Sequence, residues 1–329
     1  MSVRALASVR ARTAVRARTS ARRRALGAAG LGAAFALALT ACGSSTPDHA
    51  SPTPRMPGMH HGATPSPARS AHGGASADGM PGMPGMAKPA GGLGLSDAQD
   101  GYRLDSAQGS LAAGRPAAYR FTVTGPDHRP VTAFEVDQTK RLHFYAIRSD
   151  LTGFQHIHPA MAADGTWTAD LAALTPGSWR LFATFTPGSG PGKGTAFVLS
   201  RALTVPGPAT VTPLPAAGTA TTVDGYTVTV GGELTAGMEH PLTVTVTRDG
   251  RPVTDLRPYL DSYAHLTAFH EGDTAFAHLH PTTPVTAGRG GGPRLTFRAE
   301  PAKAGNWRLF LQFEAGGALH TAALTLAAR

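Results

Sequence analysis

The sequence predicts an all-β protein. Short segments that alternate between apolar and polar residues are interrupted by Gly, Pro and Asp about every ten residues, which is typical of β-strands joined by turns. An internal duplication is also visible, because FQHIHP at 154–159 recurs as FAHLHP at 276–281, and GSWRLFATF at 177–185 recurs as GNWRLFLQF at 305–313. Each copy spans about 110 residues, the size of one sandwich domain. We therefore expect two tandem immunoglobulin-like β-sandwich domains.

The alternation pattern predicts six strands in the first copy and seven in the second. Those of the first copy lie near 119–124, 141–148, 154–158, 166–170, 179–185 and 196–204. Those of the second lie near 226–230, 242–247, 264–270, 275–280, 294–299, 307–313 and 320–327. No segment carries a helical stripe of useful length.

Composition divides the chain into five parts. They are an export signal peptide at 1–41, a disordered linker rich in Met, His, Pro and Gly at 42–98, the first β-sandwich repeat at 99–206, a linker at 207–218 and the second repeat at 219–329. The linker at 42–98 has almost no aliphatic bulk, so it cannot bury enough surface to offset the entropy lost on ordering.

The positive charge of the chain is concentrated at its beginning. The net charge is +9, but residues 1–41 hold eight arginines and no acid, which leaves 22 basic groups (30 − 8) against 21 acidic ones in the rest. A body with this balance lacks the basic surface that nucleic-acid binding requires. We therefore expect no nucleic-acid partner.

The first 42 residues have the layout of an export signal. An Arg-rich stretch ends at Arg24, a mostly apolar stretch follows from 25 to 40, and LTAC at 39–42 resembles the lipobox of bacterial lipoproteins. The resemblance implies that Cys42 is lipidated and holds the protein on the extracytoplasmic face of the cell membrane. A plain secreted protein with a chance cysteine is the alternative. Because Cys42 is the single cysteine of the chain, neither a disulfide within the chain nor a thiolate metal site is expected.

Methionine and histidine are enriched in the linker that follows Cys42. Thioether sulfur suits Cu(I), whereas imidazole suits Cu(II) and zinc, so a mixed tract outside the cytoplasm favours copper. The alternative is compositional drift, which supplies Gly, Pro and Ala but does not enrich Met. The candidate auxiliary ligands are Met56, Met59, His60, His61, Met80, Met83 and Met86.

Histidines recur at the same spacing in both repeats. Residues two apart in a strand share a face, and a hairpin whose paired numbers sum to 301 puts His143 opposite His158. In the second repeat the same register, with paired numbers that sum to 545, puts His265 opposite His280. The second repeat also has His320 where the first repeat has Gly194. We expect copper, or else zinc, to bind these rings, more readily in the second repeat. The candidates are His265, His278, His280 and His320, and then His143, His156 and His158.

The repeated motifs allow two other interpretations. The histidines would be structural if they were partly buried strand residues with hydrogen-bonded rings. A catalytic role is not expected, because the GxSxG, GxxxxGK[ST] and HExxH patterns are all missing from the sequence.

The HxHP hairpin followed by GxWRLF resembles a group of bacterial exported proteins of largely unassigned function that are associated with heavy-metal handling. The likeness covers residues 100–328, and it extends more distantly to YtkA-like and CopC-like β-sandwiches, although the copper ligands of the latter find no matching spacing here. The resemblance implies a lipid-anchored copper-binding protein that buffers metal or passes it to a metal-handling membrane protein. A surface adhesion module and a sensor subunit for a membrane partner are the alternatives.

Overall fold

The computed structural model describes residues 88–89 and 92–329, and every element in this part of the chain is a β-strand. The predicted signal peptide, Cys42 and the candidate metal ligands of the linker (Met56, Met59, His60, His61, Met80, Met83 and Met86) lie outside the described residues. Within them the protein has no helix with the length and apolarity needed to cross a membrane. Residues 92–329 belong to one compact unit.

The first repeat contains ten strands that form two sheets. They are β1 (Lys88–Pro89), β2 (Ala98–Gln99), β3 (Tyr102–Asp105), β4 (Ala117–Thr124), β5 (Leu142–Arg148), β6 (Gln155–Ile157), β7 (Ala160–Met161), β8 (Thr166–Leu171), β9 (Gly177–Phe185) and β10 (Thr195–Val205). One sheet has the order β1-β10-β9-β5-β6 and the other β2-β3-β4-β8-β7.

The second repeat contains nine strands in one continuous sheet. They are β11 (Ala220–Val223), β12 (Tyr226–Gly231), β13 (His240–Arg248), β14 (Arg251–Pro252), β15 (His265–His270), β16 (Phe276–Pro281), β17 (Arg294–Ala299), β18 (Gly305–Ala315) and β19 (Ala318–Ala328). Their order is β11-β12-β13-β17-β16-β15-β18-β19, with β14 beside β13.

The prediction of an all-β chain with two repeated sandwich domains is confirmed. Each predicted strand is present with its ends within two residues of the expected ones. The sequence pattern indicates strands because in many of them alternate residues enter a core while their neighbours are more exposed, although β5 is buried along its whole length. In β4, for example, Tyr119, Phe121 and Val123 are buried and Arg120 is exposed.

The repeats differ where their histidine motifs end. In the first repeat β6 stops at Ile157 and β7 begins at Ala160, so His158 lies between two short strands that belong to different sheets. In the second repeat β16 is unbroken and pairs with both β15 and β17. His280 therefore lies within a paired strand, opposite Arg298.

The repeated GxWRLF motif serves the fold. The backbone of Gly305 has a φ of +120°, and a Cβ atom there would lie 2.8 Å from Nε2 of His270, so a side chain cannot be accommodated without movement. Two residues later the buried indole N–H of Trp307 donates to the carbonyl oxygen of Lys303. Trp179 donates in the same way to Thr175 in the first repeat. Shared folding thus explains why this motif recurs.

Besides its own core, each repeat contributes aromatic side chains to a third buried group, which we call the junction cluster. Its members come from both repeats, and they are Tyr145, Ile147, Leu151, Phe182, Phe269, Phe276 and Phe310. Phe310 of the second repeat stacks on Phe154 of the first, with ring centroids 4.2 Å apart and an interplanar angle of 9°. The two repeats are therefore packed together through aromatic surface rather than only tethered.

Replacing Phe310 by Ala is expected to weaken both repeats. Phe310 and Phe313 both belong to β18, but Phe310 packs in the junction cluster and Phe313 packs in the core of the second repeat. Each Phe→Ala change should lower the free energy of unfolding by about 3–5 kcal/mol, since both remove a buried ring. Hydrogen exchange measured by mass spectrometry should accelerate in strands of both repeats for Phe310→Ala, but in the second repeat alone for Phe313→Ala. Acceleration confined to the second repeat in both variants would contradict the shared junction.

Candidate functional site

The predicted register of the first histidine hairpin is confirmed. Phe144 pairs with Ile157 and Tyr145 with His156, so paired numbers sum to 301. This register brings His143 of β5, His156 of β6 and His158 to the same face of the hairpin, because the side-chain period of a strand is two.

The three imidazoles of the first repeat form a compact group. One ring nitrogen from each of His143, His156 and His158 lies within 4.8 Å of the other two. The ring of His143 is stacked at a tilt against His156, with centroids 5.3 Å apart, and lies edge-on to His158 at 5.2 Å. We call these three residues the histidine triad. Nitrogens that bind one tetrahedral ion at about 2.1 Å lie about 3.4 Å apart. The three ring nitrogens of the triad would therefore have to move only slightly closer together to reach that geometry.

Burial keeps the triad uncharged at neutral pH. Loss of solvent lowers the pKa of His143 and holds that of His156 well below the ordinary value of 6.5. The same effect, together with competition for protons from His143 and the Lys140 cation, lowers the pKa of His158 to about 4. Neutral imidazoles carry a free lone pair, which is the form that binds a metal ion.

The hydrogen-bond partners define which nitrogens carry protons. His156 Nδ1 lies 2.7 Å from Gln312 Oε1, and His143 Nε2 lies 3.1 Å from the carbonyl oxygen of Asp137. Because carbonyl oxygens only accept, each of these nitrogens donates the single N–H of a neutral ring. His143 Nδ1 and His156 Nε2 are then left as lone pairs that face each other 3.0 Å apart. Two facing lone pairs repel unless a cation lies between them.

The third ring also presents a nitrogen to the interior of the protein. His158 Nε2 is buried, and it has no hydrogen-bond partner among the described residues. A buried polar atom that makes no hydrogen bond has a desolvation cost that a bound ligand would remove. The triad therefore combines converging lone pairs with an unsatisfied nitrogen.

Residues of the second repeat close over the triad. The ring of His265 is fully buried and stacks against His143 and His156, at centroid distances of 5.6 and 4.7 Å. Its Nε2 lies 3.2 Å from the hydroxyl oxygen of Tyr145, and the Tyr145 ring itself stacks on His156 at 4.4 Å. Burial raises the pKa of Tyr145 far above its usual value, so its hydroxyl keeps its proton.

The predicted register of the second hairpin is also confirmed. Leu266 pairs with Leu279 and Thr267 with His278, which gives the expected sum of 545. His265 directly precedes Leu266, the first residue of this pairing. The structure does not describe the side chain of His278. His280 is partly buried, and loss of solvent lowers its pKa while the Asp137 carboxylate of the first repeat opposes that shift.

The structure corrects the expectation for His320. It pairs with Phe313, whereas His265 pairs with the neighbouring Gln312, so strand alternation puts His320 and His265 on opposite faces of the sheet. Both His320 nitrogens are bonded there, Nδ1 to Asp224 Oδ2 at 2.7 Å and Nε2 to the carbonyl oxygen of Ala315 at 3.1 Å. His320 is therefore a structural residue, and it gives no reason to prefer the second repeat.

Sequence reasoning missed the polar residues that surround the triad. Gln312 is 6% exposed and is the amide that contacts His156. Its position in the mostly apolar WRLFLQF was a usable signal, since the first repeat has the shorter Thr184 at the corresponding place. Tyr145 and Asp137 gave no comparable signal, because their importance depends on how the two repeats pack.

Residues 97–200 and 221–329 each match one family, described as a domain of unknown function (DUF8832). No curated protein matches the chain. Among solved structures, a DUF4426 family protein from Pseudomonas aeruginosa PAO1 is similar at 10% identity and a TM-score of 0.25, over 33% of this chain and 94% of that one.

Two other similar structures come from larger bacterial proteins. The Escherichia coli adhesin FdeC is 16% identical over 70% of this chain and 65% of its own, with a TM-score of 0.23. InvD of Yersinia pseudotuberculosis is 16% identical over 70% of this chain and 58% of its own, also with a TM-score of 0.23. Likenesses this weak say nothing about what the present chain binds.

Acid is expected to destabilise the metal-free protein through the triad. The pKa of each triad histidine is below 6.5 in the folded state, so between pH 6.5 and about 4 the unfolded chain binds more protons than the folded chain. The free energy of unfolding should therefore fall as the pH is lowered through this window. Urea denaturation at several pH values, with a chelator present, measures the slope.

The control for this pH dependence is a histidine outside the triad. His158→Gln should give a shallower slope than the wild type, because the variant lacks a group that binds a proton on unfolding. His128→Gln changes an exposed turn residue and should leave the wild-type slope. Identical slopes in all three proteins would contradict the attribution to the triad.

Proposed function

We propose that this chain, which belongs to the DUF8832 family and carries two copies of its domain, binds a transition-metal ion through His143, His156 and His158. The observation that carries the proposal is the convergence of the three imidazoles, in which one nitrogen of each ring lies within 4.8 Å of the others and those of His143 and His156 are 3.0 Å apart. A proton between His143 and His156 is the alternative to a metal ion, but it would take the N–H of a neutral ring away from the carbonyl oxygen that its other nitrogen faces. A metal ion accepts both lone pairs at once.

The donor set favours Zn²⁺ or Cu²⁺ at the triad. Three neutral imidazoles suit both ions, and a water molecule can complete an open tetrahedral or square-based shell. The carboxylate of Asp137 acts electrostatically on both His143 and His280 and so favours a bound cation, while the Lys140 cation opposes it at His143. The Met-rich linker would add soft ligands that prefer Cu(I), and copper is therefore the metal that both parts of the chain can hold.

The proposed setting is the extracytoplasmic face of the cell membrane, with Cys42 as the lipid anchor. If the roughly 45 residues between Cys42 and β1 form a flexible linker, its average reach would be roughly 35–40 Å, so the sandwich domains could meet a metal-handling membrane protein. In this setting the chain buffers metal ions or passes them to that partner. No step of the proposal needs a catalytic group.

Metal titration of the full chain tests the proposal. In a background where the linker histidines His49, His60, His61 and His72 are replaced by Gln, the chain should still bind about one Zn²⁺ or Cu²⁺ per molecule. Adding His156→Gln or His158→Gln should weaken binding by at least about tenfold, because each change removes one ligand of three. Competition with a chromophoric chelator measures the affinity.

His320→Gln is the matched control for this titration, since it replaces a buried histidine on the opposite face of the sheet. It should leave metal affinity at the wild-type level. The proposal fails if the His156 and His158 variants bind as the wild type does, and the histidines of the first repeat would then be structural parts of a scaffold.

Replacing Cys42 by Ser tests the membrane anchor. In an exporting bacterial host, the wild type should partition with the membrane and incorporate labelled palmitate, because two or more acyl chains anchor a protein stably. Cys42→Ser should appear in the soluble fraction without label, whereas the nearby Ser44→Ala should behave as the wild type. A Cys42→Ser protein that stays with the membrane would contradict lipid anchoring at this residue.

A further inference from the structure

A side chain of the second repeat determines which nitrogen of a first-repeat histidine is available. Gln312 of β18 accepts a 2.7 Å hydrogen bond from Nδ1–H of His156 on β6. With its proton held on Nδ1, His156 directs the lone pair of Nε2 towards His143. An outer partner of this kind fixes both the tautomer and the orientation of a metal-binding imidazole.

The contact is buried, and rings of both repeats surround it. Gln312 is 6% exposed and pairs in the ladder with His265, whose ring stacks on His156 at 4.7 Å. His156 also stacks on Tyr145 at 4.4 Å, and the centroids of Tyr145 and His265 are 6.5 Å apart. His156 thus contacts a ring of its own repeat and a ring of the other.

The duplication is asymmetric at this point. Gln312 pairs with His265 in the second repeat, and Thr184 pairs with His143 at the corresponding place in the first. Thr184 has a short hydroxyl side chain instead of an amide, and Tyr145 is likewise replaced by Thr267 in the second copy. The long amide and the stacking tyrosine both serve the triad of the first repeat.

We propose that Gln312 is a positioning residue for His156, so that the triad binds metal tightly only when the second repeat is docked against the first. This inference deepens the proposed function and depends on it. Since metal binding and docking favour the same arrangement, each strengthens the other by the same factor. Loss of the Gln312 contact should cost about 10–100-fold in metal affinity, the usual effect of removing such a partner.

The test compares variants of Gln312 in the full chain with the linker histidines replaced as above. Gln312→Leu keeps a buried side chain of comparable volume but removes its acceptor, and Zn²⁺ affinity should fall about 10–100-fold. Gln312→Glu retains an acceptor and should bind Zn²⁺ at least as tightly as the wild type. If Gln312 were needed only for packing, or if its amide donated a hydrogen bond to His156, Gln312→Glu would not bind Zn²⁺ more tightly than Gln312→Leu.

Two further variants keep the test decisive if Gln312→Leu folds poorly. Gln155→Leu removes the neighbouring glutamine of β6, whose side chain bonds to Ala172 instead of the triad, and it should bind Zn²⁺ as the wild type does. Phe310→Ala leaves every triad residue and Gln312 in place but weakens the junction cluster, so its affinity should fall.

The outcomes separate this inference from the proposed function. If His156→Gln loses affinity while Gln312→Leu and Phe310→Ala bind as the wild type does, the triad binds metal without help from the second repeat and the inference is overturned. If Gln312→Glu binds as weakly as Gln312→Leu, the acceptor role is overturned. If His156→Gln itself binds normally, the proposed function fails first.

Discussion

Aromatic packing between the two repeats is the constraint on which the candidate site depends. The junction cluster excludes water from one side of the histidine triad, and the bond between His156 and Gln312 crosses the same boundary. Imidazoles on the surface of a single sandwich would be solvated, and their protons would exchange freely between the two nitrogens. Burial between two domains removes that freedom and leaves specific lone pairs facing each other.

The duplicated sequence uses its two repeated motifs for different purposes. The GxWRLF motif performs the same task twice, since Trp179 and Trp307 each donate to the carbonyl oxygen four residues earlier. The HxHP motif has the same register in both copies but different surroundings. Tyr145 and Gln312 are the side chains that distinguish the first copy, so equal spacing in the sequence does not mean equal chemistry.

Much of the fold could be predicted from the sequence, because strand alternation and the internal duplication are local signals. The histidine register could also be predicted, since a short hairpin fixes which residues stand opposite each other. The face of His320 could not, because it depends on where the β18–β19 hairpin turns, at Gly316 and Gly317 with φ of +58° and +79°. A turn one residue longer would have brought His320 to the other face.

The surroundings of the triad could not be predicted for a different reason. Gln312 lies 156 positions after His156, and their contact arises only when two separately predicted domains pack together. Single-chain periodicity contains no information about that packing. Gln312, a polar residue in the mostly apolar strand β18, was the one sign in the sequence that the two repeats pack together.

If the triad holds a metal ion as proposed, the break between β6 and β7 would affect how fast that ion leaves. His158 lies on the short connection between two sheets, whereas His143 lies within β5 and is paired with Thr184 of β9. A ligand on such a connection can swing away through a local backbone rotation, without unzipping a ladder of hydrogen bonds. A donor atom from another protein could then replace His158 while His143 and His156 still bind the ion. The metal ion would then be transferred by stepwise ligand exchange, without first dissociating into solution.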